Sequence, residues 1–194
     1  MSVIDTLITD RTQADVDYAR SLCAKGIPNM SADELTEFAT SLKGMYNYTD
    51  LNRVETAVAY VASELVQAPT DIRQYASDRD IAWDDIYDVP YDPDDYSSIS
   101  TKTNWQVSDI PTYLQMLRYI GNIKLIRDAI PNASIAWIPD TMDKLDFTLA
   151  NNIEKLLKDV HDALAELVAF KEGLIRSAME ISYSGDVYSG EEEA

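Results

Sequence analysis

The chain has 194 residues, 46% hydrophobic and 26% charged, a balance that suits a globular fold burying ~70% of its unfolded surface. With 16 basic against 34 acidic side chains the net charge is −18, which repels phosphate backbones and anionic headgroups and argues against nucleic-acid partners and membrane insertion. One cysteine, Cys23, excludes an internal disulfide, and one histidine, His161, leaves too few N/S ligands for a structural zinc site.

No apolar run reaches membrane-spanning length, and the opening Met1-Ser2-Val3-Ile4-Asp5 does not read as a secretory signal. After an apolar lead from Val3 to Ile8, Thr12 offers a cap and Asp15 an acid in the first turn, so a helix is expected to run to about Lys25 and stop at Gly26 and Pro28. Cys23 follows Val16 and Ala19 on its apolar stripe and reads as a buried small side chain. Ser31 and Glu34 form a capping-box pair for a second helix with Leu35, Phe38 and Leu42, stopped by Gly44. A third helix begins near Thr49-Asp50, places Leu51, Val54, Val58, Val61 and Leu65 on one stripe, and ends at Ala68-Pro69. A weaker helix follows from Thr70 to about Ala76. At the corner before the third helix, Asn47 or Tyr46 is placed to bond exposed helix ends and Arg53 to reach Asp50 or a partner acid. This reads as a helix–turn–helix corner rather than a binding site.

From Asp78 to Asp95, eight aspartates face Arg79 alone, and Pro90 and Pro93 interrupt any regular element. Trp83, Tyr87, Tyr91 and Tyr96 interleave with the acids, so the segment is expected to be a long loop pinned by its rings with its carboxylates in water. Trp105 is expected to point inward from an extended piece between Thr101 and Val107. Ser108-Asp109-Ile110-Pro111 then starts a helix whose apolar face is Tyr113, Met116, Leu117, Ile120, Ile123 and Ile130, closed by Pro131. Asp146 is a cap for a long helix carrying Ile153, Leu156, Leu157, Val160, Leu164, Leu167 and Val168 at near-heptad spacing, which requires partner helices. His161 falls on the polar side of that helix and reads as solvated. Beyond it, Ile175, Met179, Ile181 and Tyr183 alternate with polar residues, a period of two that predicts a strand, and Gly185-Asp186 is a turn pairing Tyr183 with Tyr188 in a small hairpin.

Several words of the sequence carry a family resemblance. They are Ile8 to Val16 (ITDRTQADV), Asn29-Met30-Ser31, Leu42 to Val54 (LKGMYNYTDLNRV), Lys102 to Trp105 (KTNW), Asp109 to Thr112 (DIPT) and Tyr183 to Glu191 (YSGDVYSGE). In these the chain resembles a module of tailed bacteriophages and prophages of Gram-positive, Firmicutes-type hosts, encoded among tail and baseplate genes. The resemblance covers most of the chain outside Asp78 to Tyr96. It implies a virion protein, structural rather than enzymatic, with other phage structural proteins as partners and no catalytic residue to carry over.

The expected architecture is mainly α: a bundle of about five to six helices with a long acidic loop and a short C-terminal β-hairpin or extended tail. Residues 1–76 form an N-terminal helical group, 77–107 the acidic aromatic loop, 108–172 a second helical group and 173–194 the tail, within one domain. The leading functional expectation is a non-enzymatic adaptor of the tail, baseplate or fibre-attachment region that forms a homo-oligomer in the assembly, with Tyr183, Val187 and Tyr188 as candidate interface residues. A second reading is a host-surface carbohydrate-binding module using Trp83, Tyr87, Tyr91 and Tyr96 as stacking rings; the acids of that loop lack calcium-loop spacing. A third is a hydrolase using two carboxylates, for which sequence spacing supplies no signal. No cofactor or metal is expected.

Overall fold

A computed structural model describes residues 2–40, 42–81 and 88–186, with side chains to Glu180. Among these residues the protein is mainly helical, with six α-helices and no strand. Helix α1 (Gln13–Lys25) starts on a capping box in which the Asp15 amide donates to Thr12 Oγ1 at 3.3 Å and the Thr12 amide to Asp15 Oδ2 at 2.7 Å. It ends at Gly26, whose φ of +74° suits a residue without Cβ. Helix α2 (Ala32–Thr40) begins on the reciprocal pair Ser31 and Glu34. The corner that follows lies against α1 so closely that a Cβ on Gly44 would sit 1.9 Å from the Asp15 carbonyl oxygen. Asn47 then caps α3 (Tyr48–Ser77), accepting from the Thr49 amide at 2.8 Å while its own amide donates to Asp50 at 2.9 Å.

Helix α4 (Pro93–Ser97) is one short turn with proline in its first position. Helix α5 (Tyr113–Arg127) and helix α6 (Phe147–Asp186) complete the set, and the Leu149 amide donates to the Asp146 cap at 2.8 Å. The three long helices run in the same direction. Along α3 and α6, Arg53 meets Glu154, Glu64 meets His161 and Ile72 packs with Ile175, so both numbers rise together. On α5, Met116 shares a cavity with Leu51 and Leu145 at one end, and Ile130, just past α5, lies beside Leu167 and Phe170 at the other. Parallel helices need long returns. Residues 98–112 descend along α3, where Trp105 reaches Asn52, and residues 131–146 descend along α6, where Ser134 meets Asp159 and Trp137 meets Asn152.

The main core joins both helical groups: Val54, Val58, Val61 and Leu65 of α3 pack with Ile120, Ile123 and Ile126 of α5 and with Ile153, Leu157 and Val160 of α6. Each such side chain contributes ~1.5–3 kcal/mol through burial. The buried positions Ile153, Leu157, Val160 and Leu164 recur three and four apart, the spacing of a coiled-coil seam, on the face of α6 that packs with α3. Smaller clusters extend this core: Ala19 and Leu22 with Leu42 under α1, and Ile72 and Ala76 with Ile175 at the far end of α3.

Four expectations need correction. Pro69 does not end the third helix; α3 runs through it to Ser77, because Ile72 and Ala76 continue the stripe and bury against Ile175. The strand expected over Ile175 to Tyr183 is helical, as is the backbone of the Gly185-Asp186 turn. Ile175, Met179 and Tyr183 are spaced by four, which satisfies a period of two and a helical face alike, and the continuing seam at Ile175 and Ala178 decides for the helix. Val187 and Tyr188 lie outside the described residues. The cap of α5 is Thr112, paired with Gln115, and not Ser108 or Asp109, whose carboxylate instead accepts from Lys102 Nζ at 2.7 Å. Cys23 is exposed: Ala19 and Leu22 take the buried line of α1, and Cys23 stands about 100° around the helix from Leu22.

Candidate functional site

Among the described residues four charged side chains are buried, Arg11, Asp50, Glu55 and Glu154, and they fall into two ionic networks based on α3. In the first, Arg11 Nη2 donates to Asp50 Oδ1 at 2.8 Å and to Glu154 Oε1 at 2.6 Å, while Arg53 donates through Nε to Glu154 Oε2 at 2.9 Å and also pairs with Asp50. The Ile8 amide adds a bond to Glu154 Oε2 at 2.6 Å, and Asn151 clamps the Arg11 backbone on both sides, at 3.0 and 2.9 Å. Two guanidiniums against two carboxylates leave the cluster neutral, which is the condition for burying charge. Burial works against the Arg53 charge, but Glu154 and Asp50 outweigh it and hold its pKa above the ordinary arginine value.

The second network is built on Glu55. Its Oε1 accepts from Arg118 Nη2 at 2.6 Å and from the Trp105 indole at 3.2 Å; its Oε2 accepts from the Lys102 amide at 2.7 Å and Arg118 Nη1 at 2.8 Å. Beside it, Asn52 closes two bonds on the Trp105 backbone, at 2.6 and 3.0 Å, and Lys102 Nζ stands 3.9 Å over the indole ring. Between the networks, the hydroxyls of Tyr46 and Tyr119 lie 2.5 Å apart, and burial pushes both well above the usual phenol range. The oxygens of Glu154 and Glu55 are thus committed to internal donors. The arrangement fastens the amino-terminal lead, α3, α5, α6 and the 98–112 return to one another.

The residues expected to bind ligands divide differently. Tyr96 is buried and Tyr91 half-buried, their rings edge-to-face with centroids 5.6 Å apart, and burial raises the pKa of both. Tyr96, being buried, offers no ring face for stacking on a sugar in this arrangement. Trp83 and Tyr87 lie outside the described residues, as do Val187 and Tyr188; the backbone of Tyr183 is in α6. His161 is half-buried rather than fully solvated, its Nδ1 2.7 Å from Glu64 Oε2 and its ring 5.9 Å from that of Tyr60. Among the described residues no group of three or more His, Cys, Asp or Glu is placed to hold a metal ion, and no helix is long and apolar enough to cross a membrane.

The feature that sequence reasoning missed is a surface. Val107, Ile110, Tyr113 and Leu114 are 68–88% exposed, and Leu117 adjoins them. Val107 lines a cavity of about 420 Å³, and Tyr113 and Leu117 line one of about 320 Å³; the two share Pro111, Met116 and Met142. The signal was present: Tyr113, Leu114 and Leu117 lie on one side of α5 and Met116, Ile120 and Ile123 on another, so α5 is apolar on two sides and the core can cover only one. No protein-family model, no curated protein and no solved structure matches this chain.

Proposed function

We propose that this chain is a non-enzymatic structural or adaptor subunit of a tailed-phage virion, in the tail, baseplate or fibre-attachment region, acting through protein–protein contacts. The observation that carries the reading is the apolar surface around the start of α5, where four large side chains stand 68–88% exposed within eight residues. Contiguous apolar exposure of that kind marks an interaction site. The nearby cations are already engaged within the molecule, Lys102 by Asp109 and Arg118 by Glu55, so the patch invites apolar burial more than charge pairing.

The words that suggest the phage module support the same reading. Arg11, Asp50, Arg53 and Trp105 belong to them, and their side chains are spent on the two buried networks. Their pattern serves the scaffold. Replacing Ile110 and Leu114 with aspartate tests the proposal: the variant is expected to keep its helical circular dichroism and fail to sediment with tail structures that retain the wild-type chain. Retention of the variant at wild-type level would remove the patch from the account.

A further inference from the structure

A second surface, on the seam between α3 and α6, has a different character. On this side the amino-terminal lead covers the lower seam: Ile8 is tied to Glu154, Val3, Ile4 and Leu7 pack on the core, and Ser2 reaches Tyr60. Beyond Tyr60 the described residues leave open a groove of about 520 Å³. Its floor is apolar and small: Ala68 and Leu164 are buried, Val168 is half-buried, and Ala165 and Ala169 are exposed. Small side chains there let another helix approach to the short end of the ~8–10 Å interaxial range.

The walls are acidic. Glu64 and Asp71 stand on the α3 side and Glu172 on the α6 side, and the basic groups facing them are His161, bonded to Glu64, and Arg176, 3.5 Å from Glu172. The groove does not coincide with the α5 patch and shares no lining residue with it. A second copy of this chain, also at −18, would bring like-charged walls together.

From the apolar floor and the carboxylate rims, we infer that the upper α3–α6 groove is a docking site for a basic amphipathic helix of a partner protein. The partner's apolar stripe extends the packing that Val3, Ile4 and Leu7 begin, and its lysines or arginines flank the stripe to meet Glu64, Asp71 and Glu172. This is the helix-in-groove mode of recognition. It stands independently of the phage reading.

The test uses the full chain and a fluorescent leucine–lysine peptide of about 18 residues, five helical turns, with its leucines on one face. A peptide of the same composition with the leucines scattered around the helix carries the same charge without the stripe. In fluorescence anisotropy the striped peptide is expected to bind at least about tenfold tighter than the scattered one. Ala165→Trp, which fills the groove, is expected to abolish that advantage, and Ala169→Trp serves if the first variant loses its circular dichroism. Asp71→Lys with Glu172→Lys weakens binding, whereas Asp17→Lys with Asp33→Lys, the same charge change on α1 and α2, does not. Equal binding of the two peptides, indifference to Ala165→Trp, or equal loss in the α1/α2 variant overturns the proposal. So does a concentration-dependent dimer of the chain that Ala165→Trp abolishes, because the occupant is then a second copy.

Discussion

Glu154 holds two arginines and a backbone amide from two parts of the chain far from it in sequence, the lead at Ile8 and Arg11 and the first turns of α3 at Arg53. Glu154→Gln keeps the shape but leaves Arg11 and Arg53 with Asp50 as their one shared carboxylate. A buried pair broken on one side costs ~3–5 kcal/mol, so the urea midpoint of this variant should fall far below that of wild type, and an unchanged midpoint would show the network to be ornamental. The tyrosine pair makes a prediction at high pH. Burial raises the pKa of Tyr46 and Tyr119 above the ordinary 10.0; the unfolded chain therefore releases those protons first, and the stability they confer is full below pH 10 and is lost as the pH rises beyond it. Tyr46→Phe with Tyr119→Phe, which removes both partners of one hydrogen bond together, should flatten the fall in melting temperature above pH 10. Part of this was legible. The sequence places Arg53 one turn from Asp50, and Asn47 at a helix start, because those partners are local. Arg11 and Glu154 are separated by 143 positions, and nothing in local periodicity distinguishes Glu154 from a solvated acid.

At the scale of elements, local chemistry predicted the starts of α1, α2 and α6 through Thr12, Ser31 and Asp146, since a capping oxygen and its target amide lie within three residues. Tertiary packing overrode local chemistry at Pro69. A proline inside a helix costs ~3 kcal/mol relative to alanine, and burial of Ile72 and Ala76 beyond it is what holds the helix on course. Pro69→Ala should therefore raise stability by about 1 kcal/mol or more after the lost ring packing is deducted, read as a higher melting temperature; a lower one would mean that the proline shapes the α3 seam. The far end of α6 was misread for a related reason. Residues spaced by four satisfy two periodicities, and the choice between them rests on whether a partner stripe is present, which a single segment does not reveal. The two apolar sides of α5 were written in the sequence, but periodicity alone assigns both to a core.

For the whole molecule, three parallel helices with long returns produce a body whose buried charges pair with one another, Arg11 and Arg53 with Asp50 and Glu154, and Arg118 with Glu55. The two surfaces proposed for recognition lie outside it: an apolar patch at the start of α5 and an acidic-walled groove on the upper α3–α6 seam. A net charge of −18 keeps copies apart except where apolar surface or a basic partner offsets the repulsion. The most direct measurement is quantitative mass spectrometry of purified virions from a host whose phage or prophage encodes this chain. The account predicts the chain in every preparation at a fixed stoichiometry to the other tail proteins; its absence from particles while it is abundant in the infected cell would contradict it.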